Sequence, residues 1–243
     1  MNKNKSILVL LTCLITSLSY AQPFQYKKSE TLLITFQTKQ ELIEKFIPKP
    51  LEANKEGIIN LEIIVQKMDS GYKYNEMILS IPVEYNGKKS VFHKLLYLDK
   101  TRSITKGREI YGFPKHYADI KIEKSGKNIT VIVSQDGNNI IELIAEIGEK
   151  IDDATPVEHQ VWFVHKKIPS IEKGEMDVDE LNGVFIDNFK AFNSKNIKSE
   201  LTINAIPDEN LGTIPVLKIV KSVYYECDFI LGFGETIVNY KKK

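Results

Sequence analysis

Gly107-Arg108-Glu109-Ile110-Tyr111-Gly112-Phe113-Pro114-Lys115-His116 interrupts a chain that otherwise runs in long alternations of apolar and polar residues. Pro114 stiffens the backbone directly before Lys115, and the aromatic-glycine run ahead of it makes the neighbours mostly apolar. An amine in such surroundings loses hydration, which disfavours its charged form. A neutral lysine amine is a nucleophile that condenses with ketones and aldehydes. Residue chemistry alone leaves a second outcome open, a solvated lysine in an ordinary turn. All but Arg102 and Arg108 of the 33 basic residues are lysine, and most such side chains simply face water.

Outward from this segment the pattern is β. Leu32, Ile34 and Phe36 alternate with Thr31, Leu33 and Thr35, giving a strand with one strongly apolar face. Thr38 has the character of a helix N-cap and Glu41 completes a capping box, while Pro48 ends the short helix that follows. Ile58–Gln66, Tyr74–Tyr85 and Ser90–Leu98 read as strands, and Asn86-Gly87 is a strong hairpin signal between the last two. Asp99 to Lys106 reads as a helical turn. Alternation resumes at Ile120 and Ile122, at Ile129, Val131 and Val133, and over Ile140–Ile147, with Asp136-Gly137 as a turn. Trp162–Ile168, Val184–Phe192, Leu201–Ile206 and Val216–Leu231 are the remaining strand candidates. Many strands at short intervals with few helical patterns predict a β-rich α+β fold, a barrel or sandwich in one domain.

The chain has 243 residues, 42% hydrophobic and 27% charged, with a formal net charge of +1. Lysine and acid are scattered, so the clustered basic face of a nucleic-acid binder is missing. Lys3 and Lys5, the apolar run Ile7–Leu18 and the small residues around Ser19-Tyr20-Ala21 predict a signal peptide over residues 1–21. The run is short for a membrane span. The expectation is therefore an exported protein, periplasmic or secreted, with its domain over residues 22–243. Thr12 is a poor residue before a lipidated cysteine, and apolar sequence continues past Cys13, which argues against a lipoprotein. Cleavage leaves Cys227 as the one cysteine, so no internal disulfide is expected. His93, His116, His159 and His165 are dispersed and give no reason to invoke a metal.

The segment Gly107 to Lys115 resembles the active-site signature of the acetoacetate decarboxylase family: Gly-Arg-Glu, a short aromatic spacer, then Pro-Lys. Phe46-Ile47-Pro48-Lys49-Pro50-Leu51-Glu52, Ile81-Pro82-Val83 with Tyr85-Asn86-Gly87, and Leu96-Tyr97-Leu98-Asp99 follow the family order and spacing. Ile168-Pro169 and the tail from Ile214-Pro215-Val216 to Tyr240 fit more loosely. The likeness spans about Ser29 to Tyr240. It implies a large antiparallel β-sheet closed into a cone-shaped barrel, with few short helices and a pocket inside.

The resemblance also implies a chemistry, a carbon-carbon lyase that needs no cofactor. The matching lysine of the family forms an imine with a β-keto acid and serves as its own electron sink, so Lys115 is the candidate nucleophile. Glu76 and Glu62 stand where the family has acids near that lysine, and an acid inside an apolar run is costly to bury unless paired or protonated. His116 stands where the decarboxylases have a second lysine; it reads as a proton shuttle or as a polar residue pointing away. Arg108 reads as a two-point carboxylate binder or as a loop anchor. Tyr111 and Phe113, with Tyr97 and Met77, are candidate pocket-lining residues that read equally as core. An arginine that handles substrate carboxylate in the family is replaced by Ser29. Two alternatives stand beside a decarboxylase: an aldolase-dehydratase for pyruvate-type keto acids, and an exported binding protein without chemistry. The partner in each case is a small molecule. Family members are often oligomeric, though no interface is legible in the sequence.

Overall fold

The computed structural model describes residues 23–152, 161–208 and 211–242, so the expected signal peptide lies outside the described residues. The first half of the chain is a run of antiparallel neighbours. β1 (Phe24–Gln37) pairs with β3 (Ile58–Lys67), β3 with β4 (Lys73–Tyr85), and β4 with β5 (Lys88–Leu98). A two-residue strand, β2 (Glu52–Ala53), pairs with the end of β4. The β4–β5 turn is Asn86-Gly87, with φ of 50° and 73°, the positive values that a two-residue hairpin of this twist requires.

A short helix, α1 (Gln40–Phe46), follows β1 and stops before Pro48. The expected capping box does not form. Lys39 is the N-cap, and no side chain caps the helix. Thr38 is buried and its backbone N–H donates to the Gly57 carbonyl at 2.7 Å, so it belongs to the sheet rather than to the helix start.

After β5, the helix α2 (Thr101–Lys106) and a π-helical turn (Gly107–Tyr111) carry the chain back. The strand β6 (Lys115–Tyr117) therefore runs parallel to β5, as a strand reached through a helical crossover does. β7 (Asp119–Ser125), β8 (Asn128–Gln135) and β9 (Asn138–Lys150) form an antiparallel meander. β10 (Val161–Pro169), β11 (Met176–Ile203) and β12 (Lys218–Asn239) complete the sheet. Val184–Phe192 and the start of Leu201–Ile206, read separately in the sequence, belong to one strand, which ends at Ile203 rather than Ile206. Register shifts along β11 accompany Asn188 and Asn193, both at positive φ, and let it leave the ring and pair with β9.

The hydrogen-bonded order β10-β5-β4-β3-β1-β12-β11 returns on itself, because β11 also pairs with β10. These strands close a ring, and β9-β8-β7 extend from β11 outside it. The β5–β10 closure is parallel and short, Trp162 opposite Val91 and Phe163 opposite Phe92. The Ser90 hydroxyl adds a bond to the Val161 carbonyl there. The other ring pairings are antiparallel, so this seam and the β5–β6 pair depart from the expected antiparallel sheet.

Both faces of the ring are buried. Leu32, Ile34 and Phe36 of β1, Leu61 and Ile63 of β3 and Met77, Leu79 and Ile81 of β4 point outward into an aliphatic core shared with α1 and the β7–β9 meander. Tyr26, Leu33, Ile64, Tyr74, Ile78, Tyr225 and Phe229 point inward. The strongly apolar face of β1 is thus the outer one, and the inner face is mixed. Because successive side chains alternate, Glu62 between Leu61 and Ile63 faces the inside, as does Glu76 beside Met77. Leu61 has no exposed surface, so Leu61→Ala leaves a cavity in the outer core. A loss of about 2–5 kcal/mol is expected, read as a lower midpoint in urea unfolding.

Candidate functional site

Lys115 opens β6 opposite Leu96, and strand alternation sends its side chain into the ring. Only 8% of the residue is exposed. Its amine lies 3.0 Å from Oε1 of Glu76, which is 2% exposed. The pair is close but off-line, since Oε1 makes no hydrogen bond of good angle. Catalytic contacts in unliganded sites often have this looseness. Phe113 lies beneath the amine, its ring centre 5.4 Å from Nζ.

The second oxygen of Glu76 is held. Nε2 of Gln66 donates to Oε2 at 2.9 Å, and Ser29 Oγ donates to Oε1 of Gln66 at 3.1 Å. Ser29 itself accepts from the Lys67 backbone N–H at 3.1 Å. All three side chains are buried. A chain of hydrogen bonds thus runs from β1 through β3 to β4 and ends on the carboxylate facing the amine.

Backbone geometry around the amine is equally specific. An ideal Cβ on Gly107 would stand 2.6 Å from Cδ and 2.7 Å from Cε of Lys115, so glycine is what lets the lysine pass. Gly112, at φ 88°, ends the π-helical turn, and a Cβ there would meet Lys166 Cα at 2.8 Å. Arg108 reaches round from outside and donates to the Lys115 carbonyl at 3.0 Å.

Two cavities occupy the ring. The first surrounds Lys115, with Tyr26, Tyr74, Tyr111, Phe113 and Leu231 as walls and Arg102, Ser103 and Lys106 towards the opening. The second lies farther along the ring and is lined by Glu62, His93, Trp162 and Cys227 among others. Tyr26 stacks on Phe229 at 4.5 Å, and Phe113 meets His93 edge-on at 5.7 Å, so aromatic rings partition the two. Glu62 keeps some accessible surface, but that surface faces the cavity and protein surrounds it. Desolvation, with the Glu76 charge as a smaller cause, raises its pKa to about 7. Cys227 beside it is pushed up to about 12, again chiefly by burial.

The sequence model for acetoacetate decarboxylase matches residues 15–240 of this chain. The chain belongs to the acetoacetate decarboxylase family. Acetoacetate decarboxylase 3 of Mesorhizobium japonicum is 26% identical over 227 residues, covering 90% of this chain and 86% of its own. The crystal structure of acetoacetate decarboxylase from Legionella pneumophila superposes with a TM-score of 0.82 at 23% identity, covering 90% of this chain and 89% of that one. The enduracididine biosynthesis enzyme MppR complexed with pyruvate superposes at 0.77 with 14% identity, covering 93% and 94%.

Among the residues that the acetoacetate decarboxylase resemblance marks, Lys115, Tyr111 and Phe113 line one cavity, and Glu76 stands behind its wall against the Lys115 amine. Glu62 sits in the neighbouring cavity and reaches Glu76 electrostatically. His116 is not brought to Lys115. One residue along β6, it points the other way, with Nδ1 3.2 Å from Asp208, which also accepts from Tyr97 at 2.9 Å. Arg108 is exposed in an outer groove with Lys166 and Lys167, away from the Lys115 cavity, and acts as an anchor for β6. Ser29 stands inside the ring as the far end of the Gln66–Glu76 chain. Gln66 had no motif to mark it; its shared parity with Glu62 on β3 was the available signal. Arg102 and Lys106 had none at all, since their place depends on how α2 crosses the opening. Among the described residues no three His, Cys, Asp or Glu side chains gather to hold a metal.

Two outcomes are expected. Gly107→Ala meets only the flexible part of Lys115, so urea stability stays near wild type while the reactivity of the Lys115 amine towards an aldehyde reagent drops at least about tenfold. Glu62 titrates near 7 in the folded chain against an ordinary 4.5. The folded state keeps a proton that the unfolded chain releases, so this contribution is full below about 4.5 and is lost as pH rises towards 7. Thermal midpoints measured across that window should show Glu62→Gln gaining on wild type as pH rises, with the gap level above about 7.

Proposed function

We propose that this protein is a Schiff-base lyase that decarboxylates a β-keto acid through an imine on Lys115. The observation that carries the reading is the Lys115 amine buried in an aromatic cavity with the Glu76 carboxylate 3.0 Å away. Glu76 accepts the proton that the amine sheds as Nζ bonds to the ketone carbon, and water departs to leave a protonated imine. The bond to the carboxylate then breaks, carbon dioxide leaves, and the electron pair moves into the imine as an enamine. A proton returns to the carbon, and water releases the methyl ketone and free lysine. The positive imine nitrogen is the electron sink, so the mechanism calls on no cofactor. The Gln66 amide keeps the Glu76 carboxylate aimed at the amine through these steps. Glu62, largely protonated below about 7, limits negative charge next to Glu76.

The likeness to MppR complexed with pyruvate supports a second reading, in which the same imine on Lys115 serves a pyruvate-type aldolase-dehydratase. A non-catalytic binder is the remaining option. One experiment separates the three. The purified protein is incubated with acetoacetate, or with pyruvate plus an aldehyde, then reduced with borohydride and mapped by mass spectrometry. The expected result is a Lys115 adduct from acetoacetate with release of carbon dioxide. An adduct from pyruvate with a condensed product favours the aldolase, and no adduct from either leaves the binder. Glu76→Gln is expected to lower kcat by about 10²–10⁴-fold while the fold persists.

A further inference from the structure

Helix α2 and Gly107 form one side of the Lys115 cavity. Arg102, Ser103, Lys106 and Gly107 all line it, and their i, i+1, i+4, i+5 spacing places them on one helical face. That face grades from exposed Arg102 at the opening to buried Gly107 against the amine. The Arg102 guanidinium lies 5.5 Å from the Tyr72 ring centre, and the Lys106 amine lies 5.6 Å from that of Phe24. A cation over an aromatic face is oriented without being neutralised. Among the described residues neither cation is ion-paired, and no Asp or Glu lines this cavity. The opening is therefore positive, and the walls below it are aromatic.

We propose that Arg102, with Lys106 beside it, binds a second, non-leaving carboxylate, so that the substrate is a 3-oxo dicarboxylic acid. The proposal rests on the imine reading of Lys115. A carboxylate that departs as carbon dioxide loses its charge on the way to the transition state. A cation gripping it tightly would stabilise the ground state more than the transition state, and in this chain Ser29 stands where the family resemblance places a carboxylate-handling arginine. The leaving carboxylate therefore belongs among the aromatic walls. A carboxylate that keeps its charge throughout is what an arginine fork at the opening suits. Arg102 lies five residues from Gly107, about 7.5 Å along the helix axis. That gap is shared between the arginine side chain and the few carbons separating ketone from distal carboxylate. With 3-oxoadipate, Lys115 condenses with the C3 ketone and releases water. The C1–C2 bond breaks, C1 leaves as carbon dioxide, and C2 takes up a proton. Hydrolysis then gives 4-oxopentanoate and free lysine.

The test compares kcat/KM for 3-oxoadipate and acetoacetate, each corrected for spontaneous decarboxylation. The ratio of the two is expected to fall about tenfold or more in Arg102→Gln, less in Lys106→Gln, and to recover in part in Arg102→Lys. A ratio unchanged within about twofold overturns the proposal. Calorimetric titration with glutarate, which forms no imine, separates the two claims. If borohydride fixes nothing to Lys115 but glutarate binds wild type and not Arg102→Gln, the imine reading falls and the carboxylate site stands. Equal glutarate binding by both proteins overturns the carboxylate site whatever Lys115 does.

Discussion

Burial on both faces is the constraint that the ring strands obey, and the site is built from it. A strand with water on one side spends its alternation on keeping polar residues wet. Here the outer face of β1, β3 and β4 is covered by α1 and the β7–β9 meander, so it is nearly all aliphatic. Stability is then drawn from outside the ring, and the inner face is released from having to be wholly apolar. It carries Ser29, Gln66, Glu76, Glu62 and His93 among aromatic rings. Each buried polar group must still find a partner, and Ser29, Gln66 and Glu76 are hydrogen-bonded in series across neighbouring strands, with the Lys115 amine ion-paired at the end.

That chain gives the site its stiffness. Glu76 is held at one oxygen by an amide whose other end is itself held, so the carboxylate cannot rotate away without breaking its buried hydrogen bond to Gln66. Lys115 is fixed from the opposite side, where Arg108 grips its carbonyl and the π-helical turn presents Gly107 to its side chain. The amine and the acid are thus positioned by separate parts of the chain. Residues on rigid strands hold such geometry more closely than loops do.

Much of the fold was legible because local chemistry governs it. The Asn86-Gly87 turn, the stop at Pro48 and the alternation of β3, β4 and β5 follow from residue preferences that act within a few positions. Thr38 misled because its sequence has the form of a cap while its backbone N–H is committed to Gly57 across the sheet. The β5–β10 seam was illegible because a ring closure joins residues about seventy positions apart, with nothing local to announce it. The site divides in the same way. Lys115, Glu76, Tyr111 and Phe113 sit where motif and strand parity indicate. His116 and Arg108 belong to the same motif yet face outward, since one step along a strand, or a turn of different pitch, reverses the direction of a side chain. Arg102 and Lys106 reach the opening only through the path of α2, which no short pattern encodes.

The placement of Lys115 on a three-residue strand after a π-helical turn has a consequence for how this chain can vary. Between Leu98 and Tyr117 the number of residues matters before their identity does. An insertion or deletion that moved β6 by one position would turn the histidine inward and send the amine towards Asp208, leaving composition almost untouched and the cavity without its nucleophile. Variation in this stretch is therefore confined to substitution. The β7–β8 turn at Gly126, where nothing packs within 4 Å of an added Cβ, is free to change in length.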